Sequence, residues 1–281
     1  MRRRAAPLAG SLAYRAFTRL PEERVTAWRS RPVGRAAMGA LQRMLGRGPI
    51  EVRCIGVPAG LLLDPRSLPL THVHAHLLVR GALERSVQEA LQRHVAPGAV
   101  VYDIGANLGF FSLLAARLAG PSGRIEAFEP LPAAAAGLRR HLELNGARIV
   151  RVHEVAVGAY SGRAQLLAVD ETSWSHLADR GWHERTEDVV DVEVVTVDAL
   201  VAGGLPSPDV VKIDVEGSEL DVLEGMTETL RADSPVIVCE LHETNAEFAA
   251  RMHELGYMTQ NLDGPEAVER AGAVHALAWR P

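Results

Sequence analysis

The chain has 281 residues, 47% apolar, 23% charged and 5% aromatic, with a mean hydropathy of +0.02, which excludes a disordered or collagenous chain and fits one large globular domain. No run approaches the roughly 18 consecutive apolar residues of a spanning helix, because the richest, 100–118, is broken by Asp103, Asn107 and Arg117. The net charge of −5 hides an asymmetry: residues 1–53 carry 12 arginines against three acids, so the rest is acidic, which argues against a nucleic-acid-binding core.

Residues 1–50 read as a basic, helical appendage, with Leu12, Ala16 and Leu20 at helical spacing and Pro21-Glu22-Glu23 opening a second helix. A solvated basic face is the first reading, and weak contact of this arm with phosphates or anionic lipid is the second. Arg2-Arg3-Arg4 does not open an export signal, because Arg15 and Arg19 interrupt its apolar segment. Cys54 and Cys239 form neither a disulfide framework nor a CxxC site, so a reducing, cytoplasmic compartment is expected.

A turn-rich join, Gly46-Arg47-Gly48-Pro49, leads into a segment from 51 to 98 expected to cover an active site. It holds strand candidates Ile50–Ile55 and Leu61–Asp64 and a helix Leu83–His94. His72, His74 and His76 alternate, but zinc sites usually draw ligands from several segments, so a solvated or substrate-facing run outranks metal and no metal site is assigned.

From 99 onward strand and helix alternate: run Ala99–Ile104, helix Phe110–Ala119, run Arg124–Phe128, helix Ala133–Leu144 and run Ile149–Val157. The order predicts a parallel, Rossmann-like α/β sheet with helices on both faces, continued by runs Ala164–Val169, Val192–Val197, Asp209–Val215 and Val236–Leu241. Met258–Leu262 and Val274–Trp279 lie too close for a helical crossover and read as a terminal pair.

The first strand-to-helix turn, Asp103-Ile104-Gly105-Ala106-Asn107-Leu108-Gly109, stands where doubly wound sheets bind ligands. Gly105 and Gly109 would clear the backbone for a ligand, and Asp103 can accept hydrogen bonds from it. The third glycine of a dinucleotide cradle is missing, which disfavours a nicotinamide oxidoreductase. Glu129, twenty residues past Gly109 in Glu126-Ala127-Phe128-Glu129-Pro130, is placed to accept both hydroxyls of a ribose. A ribose on a cationic ligand without a pyrophosphate matches S-adenosylmethionine.

Two further clusters follow. Lys212, the one lysine among 30 basic residues, alternates with Asp214 and Glu216 and should share a face with them. Glu240 and His242 alternate in Cys239-Glu240-Leu241-His242-Glu243, beside Asp214 if the strands are neighbours. The expected catalytic set is His242, Asp214, Glu240 and Lys212, with neutral His242 first choice as base for a hydroxyl. Mg²⁺ on Asp214, Glu216 or Glu240 is compatible with the sequence but not required by it.

Val101–Leu113, Glu126–Pro130 and Val211-Lys212-Ile213-Asp214-Val215-Glu216-Gly217 together resemble the FkbM family of class I S-adenosylmethionine-dependent methyltransferases, a resemblance running from about Gly81 to Gly264. It implies a seven-stranded, mostly parallel sheet with an antiparallel last strand, and O-methylation of a small molecule, sugar, glycolipid or natural product. By the same resemblance Asp103, Gly105, Asn107 and Gly109 would hold the methionine end of the cofactor, Glu129 and Pro130 the ribose, and Ala156-Val157 the adenine. Ser173-Trp174-Ser175-His176 resembles the family's Ser-rich loop but departs from it at Trp174 and His176. A nucleic-acid amine methyltransferase would carry an Asn/Asp-Pro-Pro-Tyr block where Asp214-Val215-Glu216-Gly217 stands. The same fold binding the cofactor without catalysis is the remaining alternative.

Overall fold

The computed structural model describes residues 49–168, 175–177 and 188–281, apart from 53, 55, 65, 66, 68–72 and 273. The expected N-terminal helices therefore lie outside the described residues, as do His72, Ser173, Trp174 and the side chains of His74, His76, Ser175 and His176. The chain divides into two units, Met1–Glu84 with Arg140–Gly146, and Arg85–Arg139 with Ala147–Pro281.

In the first unit β1 (Ile50–Glu51) pairs antiparallel with β2 (Leu62–Leu63), and α1 (Val73–Arg80) follows. Asn145 caps the β2 backbone from both sides, its Oδ1 accepting from Leu62 N at 2.9 Å and its Nδ2 donating to Leu62 O at 2.7 Å. Arg140 pairs with the buried Asp64 carboxylate at 3.2 Å.

The second unit opens with α2 (Arg85–His94), β3 (Val100–Ile104), α3 (Phe110–Ala119) and β4 (Arg124–Phe128). Helix α4 (Pro132–Asn145) starts on a proline, whose missing N–H costs nothing in a first turn, and ends before Gly146 at φ +63°; its last turn belongs to the first unit. Then come β5 (Val150–His153), β6 (Ala156–Val157), β7 (Gly162–Ala168), β8 (Ser175–Leu177) and β9 (Asp188–Val195). The rest is α5 (Val197–Ala202), β10 (Val210–Ile213), α6 (Glu219–Glu224), α7 (Thr227–Ala232), β11 (Val236–Leu241), α8 (Asn245–Glu254), β12 (Met258–Asn261) and β13 (Val274–Trp279).

Seven strands form the main sheet in the order β12-β13-β11-β10-β3-β4-β5. β3, β4, β5, β10 and β11 run parallel, while β13 inserts antiparallel between β11 and β12, as the terminal pair of runs predicts. The central strands are buried on both faces, which is why they read as continuous apolar runs rather than alternating ones. One face packs Tyr102, Phe128, Val211, Ile237 and Phe248 into a common core.

Two runs do not extend this sheet as expected. Ala164–Val169 and Val192–Val197 fall in a separate four-stranded sheet, β6-β9-β7-β8, and the run Ile149–Val157 splits between the two sheets. Their β-branched composition suits either sheet, and the pairing partner is decided by contacts distant in sequence. Among the described residues no helix is long and apolar enough to cross a membrane.

Strand order reverses at β3, which has β4 on one side and β10 on the other. The carboxyl ends of these strands make the crevice where a ligand can lie against backbone from several loops at once.

Candidate functional site

The turn after β3 folds back on the tip of β4. Gly105 and Ala106 N–H both donate to the Phe128 carbonyl at 3.0 Å, and Gly109 N–H donates to Ala106 O at 2.8 Å. Gly105, Asn107 and Gly109 take positive φ of 76°, 47° and 81°, and asparagine is among the few side chains that tolerate this region.

Beside the clearance for a ligand expected of them, the glycines serve the protein's own packing. A Cβ on Gly105 would stand 1.8 Å from the Asp214 carbonyl oxygen, and one on Gly109 would stand 2.0 Å from Leu138 Cδ1. Gly105 is thus where the loops after β3 and β10 cross in contact. Gly105→Ala should cost about 2–4 kcal/mol through overpacking and backbone strain, lowering Tm by roughly 4–16 °C. Gly146, at φ +63° after the end of α4 with nothing within 4 Å, is the control: Gly146→Ala should lose only about 1 kcal/mol. Equal melting shifts in the two variants would remove the close-approach role.

Glu129 is held by the same turn. Its Oε2 accepts from Asn107 N–H at 2.8 Å and its Oε1 from Leu131 N–H at 2.9 Å, so the carboxylate is fixed in orientation. Burial pushes it up to about 7 despite these two donors, and only 5% of the residue is exposed. Two hydroxyls from a vicinal diol would add the donors that favour its charged form. Pro130 follows, half-buried; Val157 is buried in the core of the unit, which leaves half-buried Ala156 as the more accessible of that pair.

Asp103 is 2% exposed and takes a hydrogen bond from the Ser112 hydroxyl of α3 through Oδ2. Burial raises its pKa against the pull of Lys212 and Ser112. Its Oδ1 accepts no hydrogen bond within 3.5 Å, the nearest charge being the Lys212 ammonium at 3.6 Å, so a ligand ammonium would find acceptor capacity there.

Lys212 and Asp214 meet as expected, Nζ to Oδ2 at 3.0 Å, but Glu216 does not share their face. The strand ends at Ile213, and Glu216 sits in a turn at φ +49° that carries its carboxylate to His242, Oε2 to Nε2 at 3.2 Å. The adjacency of the strand tips holds, since Ile213 pairs with Cys239 in the β10–β11 register.

Sequence reasoning passed over Glu219. This fully buried residue opens α6, accepts from Gly217 N–H at 2.7 Å and Thr244 Oγ1 at 3.1 Å, and binds His242 Nδ1 at 2.8 Å. The only signal for it is an acid in the first turn of a helix, a pattern that usually marks a solvated residue near the positive helix end. Glu240 adds a third carboxylate, 3.7 Å from His242 Nε2 and 4.0 Å from His275 Nε2, and Asp263 holds His275 Nδ1 at 2.8 Å.

These surroundings disfavour the neutral base expected of His242. Burial would lower its pKa, but the Glu219 hydrogen bond and the charges of Glu216, Glu219 and Glu240 outweigh burial and raise it to about 9. At neutral pH it is an imidazolium among acids. Glu216 is pushed up to about 7 by burial and by Asp214, against the pull of His242, which poises it to exchange a proton near neutrality. Asp214 is held low: burial is overcome by Lys212, in charge and by hydrogen bond, and by His242.

A family profile described as the methyltransferase FkbM domain matches residues 103–266. The chain is 30% identical over 161 residues to the hexuronic acid methyltransferase AglP of Haloferax volcanii, covering 57% of this chain and 62% of that protein. It is 33% identical over 181 residues to the 31-O-demethyl-FK506 methyltransferase FkbM of Streptomyces tacrolimicus, covering 53% of this chain and 67% of that one. The chain thus spans about two thirds of the length of these curated relatives. A crystal structure of methyltransferase FkbM from Methylobacillus flagellatus superposes with a TM-score of 0.44 at 15% identity, over 77% of this chain and 56% of that chain.

Proposed function

This chain belongs to the FkbM methyltransferase family, and on that premise we propose that it is an S-adenosylmethionine-dependent O-methyltransferase acting on a hydroxyl of a sugar or natural product. The observation that carries the reading is Glu129, a buried carboxylate fixed by two backbone N–H groups at the tip of β4, with acceptor capacity left for a ribose diol. Asp103 Oδ1, which accepts no hydrogen bond within 3.5 Å, supports the fit, because the methionine end of the cofactor brings an ammonium. In this assignment the Gly105–Gly109 turn borders the methionine moiety, Glu129 and Pro130 hold the ribose, and Ala156-Val157 flank the adenine. The substrate class follows the relatives, whose names place them on a hexuronic acid and on 31-O-demethyl-FK506.

The cofactor supplies an electrophilic methyl group on a sulfonium, and its thioether leaves neutral, so no protein acid is needed. The demand falls on the acceptor hydroxyl, a weak nucleophile until its proton is removed. Glu216 takes that proton on its carboxylate. His242, held as a cation by Glu219, keeps Glu216 ionised near neutrality, and Asp214 orients the acceptor while paired with Lys212. A cytoplasmic site of action is part of the proposal, consistent with a chain that carries only two cysteines, far apart in sequence.

The test is release of S-adenosylhomocysteine over a panel of hydroxyl-bearing sugars and polyketides. Turnover should survive EDTA; loss restored by Mg²⁺ would place a cation on the Asp214, Glu216 and Glu240 carboxylates instead. Cofactor binding with no transfer to any acceptor would leave a binding module of the same fold.

A further inference from the structure

Lys212 stands where the two halves of the crevice meet. In the sheet register it lies directly opposite Asp103 of β3, with Asp214 two residues further along its own chain. The side chain is 5% exposed, and its Nζ donates to the Gly105 carbonyl at 3.2 Å and to Asp214 Oδ2 at 3.0 Å. Asp103 Oδ1 lies 3.6 Å from the same nitrogen, and the ammonium sits over the Phe111 ring at 5.3 Å. One buried charge therefore faces a carboxylate on the cofactor side, a carboxylate on the acceptor side and the carbonyl of the turn between them.

We infer that Lys212 is a positioning residue that couples cofactor binding at Asp103 to the acceptor-side carboxylate Asp214. This rests on the cofactor reading above. Its physical basis is competition: Asp103 and Asp214 share one ammonium, and whichever of them gains another partner alters the hold of Lys212 on the other. A cofactor ammonium arriving at Asp103 Oδ1 releases Lys212 toward Asp214, fixing the acceptor side once the methyl donor is in place. A compact ammonium can shift between carboxylates 3.0 and 3.6 Å from its nitrogen, whereas the planar fork of arginine binds in fixed directions. That difference gives a reason for the lone lysine in a chain that otherwise uses arginine.

The same singularity supplies the test. Lysine labelled with ¹⁵N at Nζ gives one side-chain ammonium resonance in the whole protein. Titration of wild type with S-adenosylhomocysteine should move that resonance in step with binding measured by calorimetry. Asp214→Asn, which leaves Asp103 without its competing carboxylate, should weaken S-adenosylhomocysteine by roughly three- to tenfold, and the loss should vanish when Lys212→Met is already present. A stationary resonance in a protein that binds the ligand overturns the coupling, and so do additive effects of the two substitutions. Failure of wild type to bind S-adenosylhomocysteine overturns the cofactor reading itself. The resonance arm uses unmutated protein, so poor folding of Lys212→Met does not remove the test.

Discussion

Glu216→Gln should lower turnover at saturating cofactor by about 10²–10⁴-fold, the usual value of a positioned general base, while leaving affinity for S-adenosylhomocysteine within about threefold. The pH dependence carries the sharper signature. Burial and Asp214 raise Glu216 to about 7, so below that pH it is protonated and cannot accept the hydroxyl proton. Wild-type kcat should therefore rise with pH through about 7, and this limb should be absent in Glu216→Gln. His242→Gln removes the cation that pulls Glu216 down, so the limb should persist but move to higher pH. If Glu216→Gln keeps wild-type turnover across pH 6–9, no carboxylate at 216 is needed as base and proximity carries the reaction.

Glu129→Ala should weaken cofactor binding by roughly ten- to a hundredfold, or about 1.5–3 kcal/mol, because two ribose hydroxyls lose a charged acceptor and the Asn107 and Leu131 N–H groups lose theirs. In the ligand-free protein burial holds Glu129 at about 7, and hydroxyl donors favour the carboxylate. Binding should then release a proton near neutrality, and affinity should tighten as pH rises through about 7. Glu129→Gln cannot ionise and should lose this Glu129-linked part of the slope. Because kcat at saturation reports the bound complex, the Glu129 effect appears in cofactor affinity and the Glu216 effect in kcat, which separates two groups of similar pKa.

Local patterns were the most legible part of the chain. The helix Phe110–Ala119 and the strand Arg124–Phe128 fall within the expected bounds, because glycine turns and long apolar runs mark both. The place of Glu129 at the tip of β4 was readable from its spacing to Gly109, since one strand-helix-strand unit fixes that distance. The second sheet was not readable, because Gly162–Ala168 and Asp188–Val195 pair across a gap that no local pattern encodes. The charge of His242 was hidden for the same reason. In sequence it is a histidine at a strand end, and its state depends on Glu219, 23 residues away, and on a turn at Glu216 that rotates one acid away from the strand face. The packing role of Gly105 was hidden as well, since the carbonyl that it must clear belongs to a residue more than a hundred positions later.

Whether this chain holds S-adenosylmethionine through Glu129 is decided most directly by one calorimetric series, S-adenosylhomocysteine titrated into wild type and Glu129→Ala at pH 6 and pH 8. The expected result is saturable binding of one ligand per chain, tighter in wild type at pH 8 than at pH 6, and weaker by roughly ten- to a hundredfold at pH 8 in the variant. Absence of saturable binding to wild type, or equal affinity in the two proteins at both pH values, would contradict it.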